Sequence, residues 1–155
     1  MAIEIAPNLF RLPTMGSFIN SYALINDDSS VTLVDCGLAG SYKKLIPDLA
    51  RIGKHPKDVK NVLFTHAHDD HVGGASEMII KCEIPNVMMH EEDSDLASQG
   101  KTPPVDTSHF SGKVMAKLPK KGYEPFVVTR RLKDREIIDT AGGLQVIHTP
   151  GHTLG

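Results

Sequence analysis

Apolar and polar positions first alternate in short β-branched runs and then, over one stretch, recur at a helical period. Residues 8–34 read as strands: Phe18 to Ile25 ends in the turn-forming Asn26-Asp27-Asp28-Ser29-Ser30, and Val31-Thr32-Leu33-Val34 resumes beyond it. Two such runs across a polar turn predict a hairpin. From Ser41 to Ile52 the period changes: Tyr42, Leu45, Ile46, Leu49 and Ile52 fall on one stripe, with Lys43, Lys44, Asp48 and Arg51 opposite. That pattern predicts an amphipathic helix. Pro47 lies inside it and predicts a kink or a late start, and Gly53 a stop.

Val59 to Thr65 is the next strand, Ala75 to Ile80 a short helix, and Asn86 to Met89 a strand again. Strand and helix in alternation predict an α/β fold. From Ser98 to Gly112 the pattern dissolves into Pro, Ser, Thr and Gly, which predicts a long loop. Met115 to Lys121 suits a short helix; residues 126–129, 136–139 and 144–148 suit antiparallel strands, with Ala141-Gly142-Gly143 as a turn.

The chain has 155 residues, 40% of them hydrophobic and 23% charged, which fits one folded domain over residues 1–155. A net charge of -2 argues against a dedicated nucleic-acid binder. Between Lys113 and Arg135 basic residues are concentrated, which suits either a solvated face or the steering of an anionic substrate. The two cysteines, Cys36 and Cys82, lie too far apart for a CxxC pair, and Cys36 reads as a buried inert thiol. No apolar run has membrane-spanning length, and the start, Met1-Ala2-Ile3-Glu4-Ile5-Ala6-Pro7, does not read as an export signal, so the expected compartment is the cytoplasm.

The chemistry sits in the histidines. Thr65-His66-Ala67-His68-Asp69-Asp70-His71-Val72-Gly73-Gly74 carries the pattern HxHxDH directly after an apolar strand. Residues two apart on an extended backbone point the same way, so His66 and His68 can face one point, and Asp70 and His71 come round at the following turn. The two glycines would let that turn pass close to an ion. Imidazoles packed together repel whenever they protonate, and a divalent metal resolves the cost. A second group, His148-Thr149-Pro150-Gly151-His152-Thr153, follows another strand and offers His152 as a third ligand, with His148 read as a buried strand residue. His90 reads as a strand-end or cap residue, His55 as part of a turn, and His109 as part of the polar loop.

HxHxDH after a strand, followed by a His in Thr149-Pro150-Gly151-His152-Thr153, resembles the metallo-β-lactamase-fold superfamily of hydrolases. Leu33-Val34-Asp35-Cys36-Gly37 is similar to that family's first motif. The resemblance implies a four-layer αββα sandwich with the metal at one edge of the sheets. It implies His66, His68 and His152 on a first ion, Asp70 and His71 on a second, and Asp35 orienting a ligand by hydrogen bond. The implied cofactor is zinc, one or two ions, with iron or manganese as alternatives. The implied reaction is attack of a metal-bound hydroxide on a small ester, thioester or lactone, with Asp70 orienting the nucleophile.

The family pattern continues to a further Asp and His, whereas this chain ends at Gly155. The expectation is therefore the N-terminal part of the fold, its C-terminal part missing, holding one ion well and a second weakly, with an activity impaired by truncation or absent. Two alternatives stand beside the hydrolase: an iron-dependent oxygenase or redox member of the same superfamily, since two His and a carboxylate suit Fe(II), and a non-catalytic metal-binding fragment. The expected partner is a small-molecule substrate, with no membrane, nucleic acid disfavoured and a homo-oligomer left open.

Overall fold

The computed structural model describes residues 1–104 and 122–155. The predicted helix at Met115–Lys121, His109, and Lys113, Lys117, Lys120 and Lys121 lie outside the described residues.

The chain opens with an antiparallel meander: β1 (Ile3–Ala6), β2 (Leu9–Met15), β3 (Ile19–Ile25) and β4 (Val31–Val34). The β3–β4 hairpin is the one the polar turn predicts, and β1 is an additional edge strand. Helix α1 (Tyr42–Arg51) then crosses back, a 3-10 turn follows at Pro56–Asp58, and β5 (Val59–Phe64) pairs parallel with β4. After β5 come α2 (Asp69–Val72), α3 (Ala75–Cys82) and β6 (Asn86–His90), the latter again parallel. Helix α4 (Glu91–Gln99) and β7 (Arg130–Leu132) extend the sheet, whose seven strands lie in chain order. A separate hairpin, β8 (Ile137–Ile138) with β9 (Leu144–Gln145), completes the described residues.

The two faces of the sheet take different cover. Alternate residues Val31 and Leu33 of β4, Val62 and Phe64 of β5, and Val87 and Met89 of β6 join Leu45 and Leu49 of α1, Val72, Met78 and Ala97 in one buried cluster. The period of two puts the intervening residues on the other face. There Leu63 and Met88 pack with Leu132, Ile138, Leu144 and Val146. Polar groups pin the hairpin as well: Thr140 Oγ1 lies 2.5 Å from Thr32 Oγ1 and donates to Asn26 Oδ1 at 2.9 Å, which also accepts the Ala141 N–H at 3.0 Å. Helices, sheet and hairpin thus form three successive layers, an α/β arrangement of the expected class.

Several local expectations need correction. Helix α1 starts at Tyr42 and runs through Pro47, with no late start; Gly53, at φ 74°, does end it. Asp48 is buried rather than wet, because the Met1 ammonium (3.4 Å) and the Arg51 guanidinium both pair with it. The stretch after Asp93 is helical to Gln99, so the loop starts later than the polar composition suggests. Residues 126–129 are not a strand; the strand is Arg130–Leu132 and it is parallel, not antiparallel, to its neighbour. The last two strands are shorter than predicted, but antiparallel, and joined by the predicted turn, where Ala141, Gly142 and Gly143 all have positive φ. Cys36 and Cys82 are free, buried thiols, and burial pushes the Cys36 thiol well up, an inert state.

Candidate metal centre

Strand β5 ends at Phe64, and an aspartate from the neighbouring strand shapes the backbone beyond it. Asp35, just past β4, has a left-handed backbone (φ 61°), a conformation that Asp tolerates better than most residues. Its N–H donates to Leu63 O at 2.9 Å, extending the parallel ladder, and its buried carboxylate turns across to the end of β5. Oδ1 accepts the Thr65 N–H at 2.9 Å; Oδ2 accepts the Thr65 hydroxyl at 2.9 Å and His71 Nδ1 at 2.8 Å.

These bonds assign tautomers. Thr65 has one hydroxyl proton and gives it to Asp35, so the 2.9 Å contact to His66 Nδ1 runs from the ring N–H to Thr65 Oγ1. His66 Nε2 then carries a lone pair. It is buried and has no hydrogen-bond partner, and the same holds for His68 Nε2. His71 likewise gives its Nδ1 proton to Asp35 and turns Nε2 toward Asp70 Oδ2, 3.6 Å away.

The second histidine stretch comes to the same place. His66 and His152 ring centres are 4.8 Å apart, and His68 and His152 4.5 Å, with His68 Nδ1 2.8 Å from His152 Nε2. One potential ligand atom from each of His66, His68 and His152 falls within 4.8 Å of the others. His66 is half-buried, His68 buried and His152 exposed. Residues 84 positions apart therefore share one locus.

Electrostatics keep His66 and His68 neutral. Burial, then the neighbouring His71, His68 and His152, push the His66 imidazole down to about 3. Burial and His152 lower His68 as well. His71 differs: burial pulls it down, but the Asp35 hydrogen bond and the charges of Asp35, Asp70 and Asp69 outweigh that, and the net shift is upward. Neutral imidazoles with orphaned, inward nitrogens are the donor set that a borderline divalent cation accepts, so these residues fit a metal. Asp70 and His71 stand beside the trio as a smaller carboxylate–imidazole pair.

Other residues fall differently from expectation. Gly73 and Gly74 lie close against the backbone that follows β4. A Cβ on Gly74 would lie 2.5 Å from Cys36 O, and one on Gly73 2.7 Å from Ala39 N, so these glycines let the α2–α3 turn sit on the backbone after β4. His148 is not a buried strand residue: it lies past β9, half-buried, stacked on His90 at 4.0 Å and 16°. His90 caps α4, accepting the Glu92 N–H at 3.4 Å, and His55 caps the 3-10 turn. The described part of the basic stretch is paired: Arg130 with Glu136, Arg131 with Asp95, and Lys133 with Glu91. Thr65 and Asp93 escaped the sequence reading. Thr65 directly precedes HxHxDH, a usable signal; Asp93 sits in a run of acidic residues that looks like ordinary helix surface.

A histidine trio beyond the parallel strand β5, backed by Asp35 just past the neighbouring β4, is a candidate metal site in an α/β protein. Residues 15–155 match the sequence profile of the metallo-beta-lactamase superfamily, and the chain belongs to that superfamily. It is 36% identical over 140 residues to the uncharacterized protein YobT of Bacillus subtilis, covering 88% of this chain and 54% of that one. It is 34% identical over 106 residues to the exodeoxyribonuclease WalJ of Streptococcus pneumoniae, covering 68% of this chain and 35% of that one. Among solved structures, the class B3 di-zinc metallo-beta-lactamase LRA-12 from an Alaskan soil metagenome superposes with a TM-score of 0.82 at 25% identity, over 99% of this chain and 54% of that chain. The chain thus spans about half the length of these relatives or less.

Proposed function

We propose that the chain is the metal-binding part of a zinc-dependent hydrolase that opens a small ester, thioester or lactone. The observation that carries this reading is the convergence of His66, His68 and His152 with two buried imidazole nitrogens left unpartnered. Three neutral histidines, rather than two with a carboxylate, favour zinc over the iron alternative.

A divalent cation held by His66, His68 and His152 would supply Lewis acidity toward a substrate oxygen and would lower the pKa of a water to about 7. The chain's own residues do the rest. Thr65 and Asp35 hold His66 with Nε2 as the donor, and Asp35 holds His71 with Nε2 facing Asp70. Asp70, its carboxylate 3.6 Å from His71 Nε2, is the group we assign to orient an incoming water and take its proton; with His71 it is the candidate pair for a second ion. The depressed His66 keeps its own ring unprotonated, and so able to hold a cation, at neutral pH.

A second reading, a phosphodiester substrate, is supported by the likeness to the streptococcal exodeoxyribonuclease. One experiment addresses both. Protein purified without added metal is analysed for zinc, iron and manganese, then assayed on an aryl ester, a thioester, a lactone, bis(p-nitrophenyl) phosphate and single-stranded DNA. Zinc near one per chain, carbonyl-substrate turnover and loss of both in His66→Ala are expected. Turnover of the phosphodiesters alone selects the second reading, and a wild-type chain that takes up no metal overturns both.

A further inference from the structure

The two ligand stretches need something besides an ion to keep them together, and one side chain outside the trio touches both. Asp93, in the first turn of α4, is only 1% exposed. Its Oδ2 accepts the N–H of Ala67, the residue between His66 and His68, at 2.9 Å. Its Oδ1 accepts the N–H of Gly155, three residues beyond His152, at 3.1 Å. No described cation neutralises this carboxylate, so the two amides, together with the α4 N-terminus, are its compensation.

The approach is tight. A Cβ on Gly155 would lie 2.8 Å from Asp93 Cγ and 2.9 Å from its Cβ, so only glycine brings the backbone amide this near. The other side of His152 is tied independently. Asp134 Oδ1 accepts the His148 N–H at 3.0 Å, His148 stacks on His90, and His148 Nε2–H donates to Leu154 O at 2.7 Å. The segment carrying His152 is therefore a loop closed on itself by His148 and clipped to the HxH segment by Asp93.

We infer that Asp93 is a positioning residue: its carboxylate clips the loop that carries His152 to the segment that carries His66 and His68, and so assembles the metal trio. The inference rests on the trio being a metal site. Removal of such an outer hydrogen-bonding partner costs about 10–100-fold in metal affinity.

The test uses Zn²⁺ itself, titrated in competition with a chromophoric chelator, with amide hydrogen exchange as a second readout. In Asp93→Asn the one remaining oxygen goes to the buried Ala67 amide, and the new NH2 group faces the Gly155 N–H. The Gly155 amide should then lose protection while Ala67 keeps it, and Zn²⁺ should bind about tenfold more weakly or worse. Asp93→Ala should lose protection at both amides. In a His152→Ala background, Asp93→Asn should have almost no further effect on affinity, because its action runs through His152. Wild-type affinity in a folded Asp93→Asn chain overturns the inference, as does an equal loss with and without His152. If the wild-type chain itself binds no Zn²⁺, the metal reading fails; unchanged Gly155 exchange in Asp93→Asn refutes the clip regardless.

Discussion

At the scale of single residues, the site is a set of protons assigned by neighbours. Asp35 accepts the hydrogen bond of His71 Nδ1 directly and orients His66 through the Thr65 hydroxyl, so that both rings turn Nε2 away from Asp35. His66, His68, Asp70 and His71 were legible in the sequence because their spacing on a strand end is itself the geometric requirement. Asp93 was not, because its role depends on two backbone amides that only the tertiary fold brings to it. The neutral pair His66 and His68 also has a measurable consequence in the metal-free protein. Folded His66 and His68 resist protonation, whereas in the unfolded chain they titrate near the ordinary imidazole value of 6.5. Below that pH the unfolded state binds protons that the folded state refuses, so stability falls on acidification; above it neither state is protonated there and the effect is absent. His71, raised, acts in the opposite sense, its stabilisation present at low pH and lost as pH rises through its folded value. With two groups against one, the urea midpoint of chelator-treated protein should fall from about pH 7 to about pH 5, and fall less in His66→Ala. A midpoint that is flat or rises over that interval contradicts the neutrality of His66 and His68.

Among the elements, the α2–α3 turn is what carries Asp70 and His71, and backbone contacts hold it in place. Cys36 N–H donates to His71 O at 2.8 Å and Gly74 N–H to Gly37 O at 3.0 Å, bonds possible only because no side chain stands between the two segments. Gly74 has ordinary φ and ψ (−86°, −1°), so alanine there is not strained by its own backbone. The obstacle is Cys36 O, 2.5 Å from the added Cβ. Gly74→Ala should therefore destabilise by about 1–3 kcal/mol in urea unfolding and weaken Zn²⁺ binding with it. Wild-type stability would mean that the turn moves off β4 without cost. The glycines were visible in the sequence, but their contact with the backbone after β4 was not, since a sequence shows that backbone comes close to something without showing what. The error at residues 126–129 has a similar origin. Phe126 and Val128 are apolar because they serve the helix-side core, Phe126 packing on Phe64 at 5.1 Å, and the ladder begins only after Thr129 N–H has reached Val87 O.

For the molecule as a whole, an ion held by His66, His68 and His152 would be a long-range crosslink. His66 and His68 hang from β5 in the seven-stranded sheet, and His152 hangs from the segment after the β8–β9 hairpin on the opposite face. The α/β class was readable from the alternation of elements, but this layering was not, because it depends on a polar contact between Thr32 and Thr140, 108 positions apart, in residues that look like ordinary surface. An ion that binds only the folded arrangement stabilises it by mass action, by about 2.7 kcal/mol at a hundredfold excess over Kd. For a chain of this size that is on the order of 5–10 °C in the unfolding temperature. His152 is the informative position, because it is exposed and its removal leaves no cavity. His152→Ala should melt at the wild-type temperature when both are metal-free and lose most of the upward shift when Zn²⁺ is added. If the zinc-induced shift survives His152→Ala intact, the cation is held by the β5 end alone, and the hairpin side of the molecule takes no part in binding it.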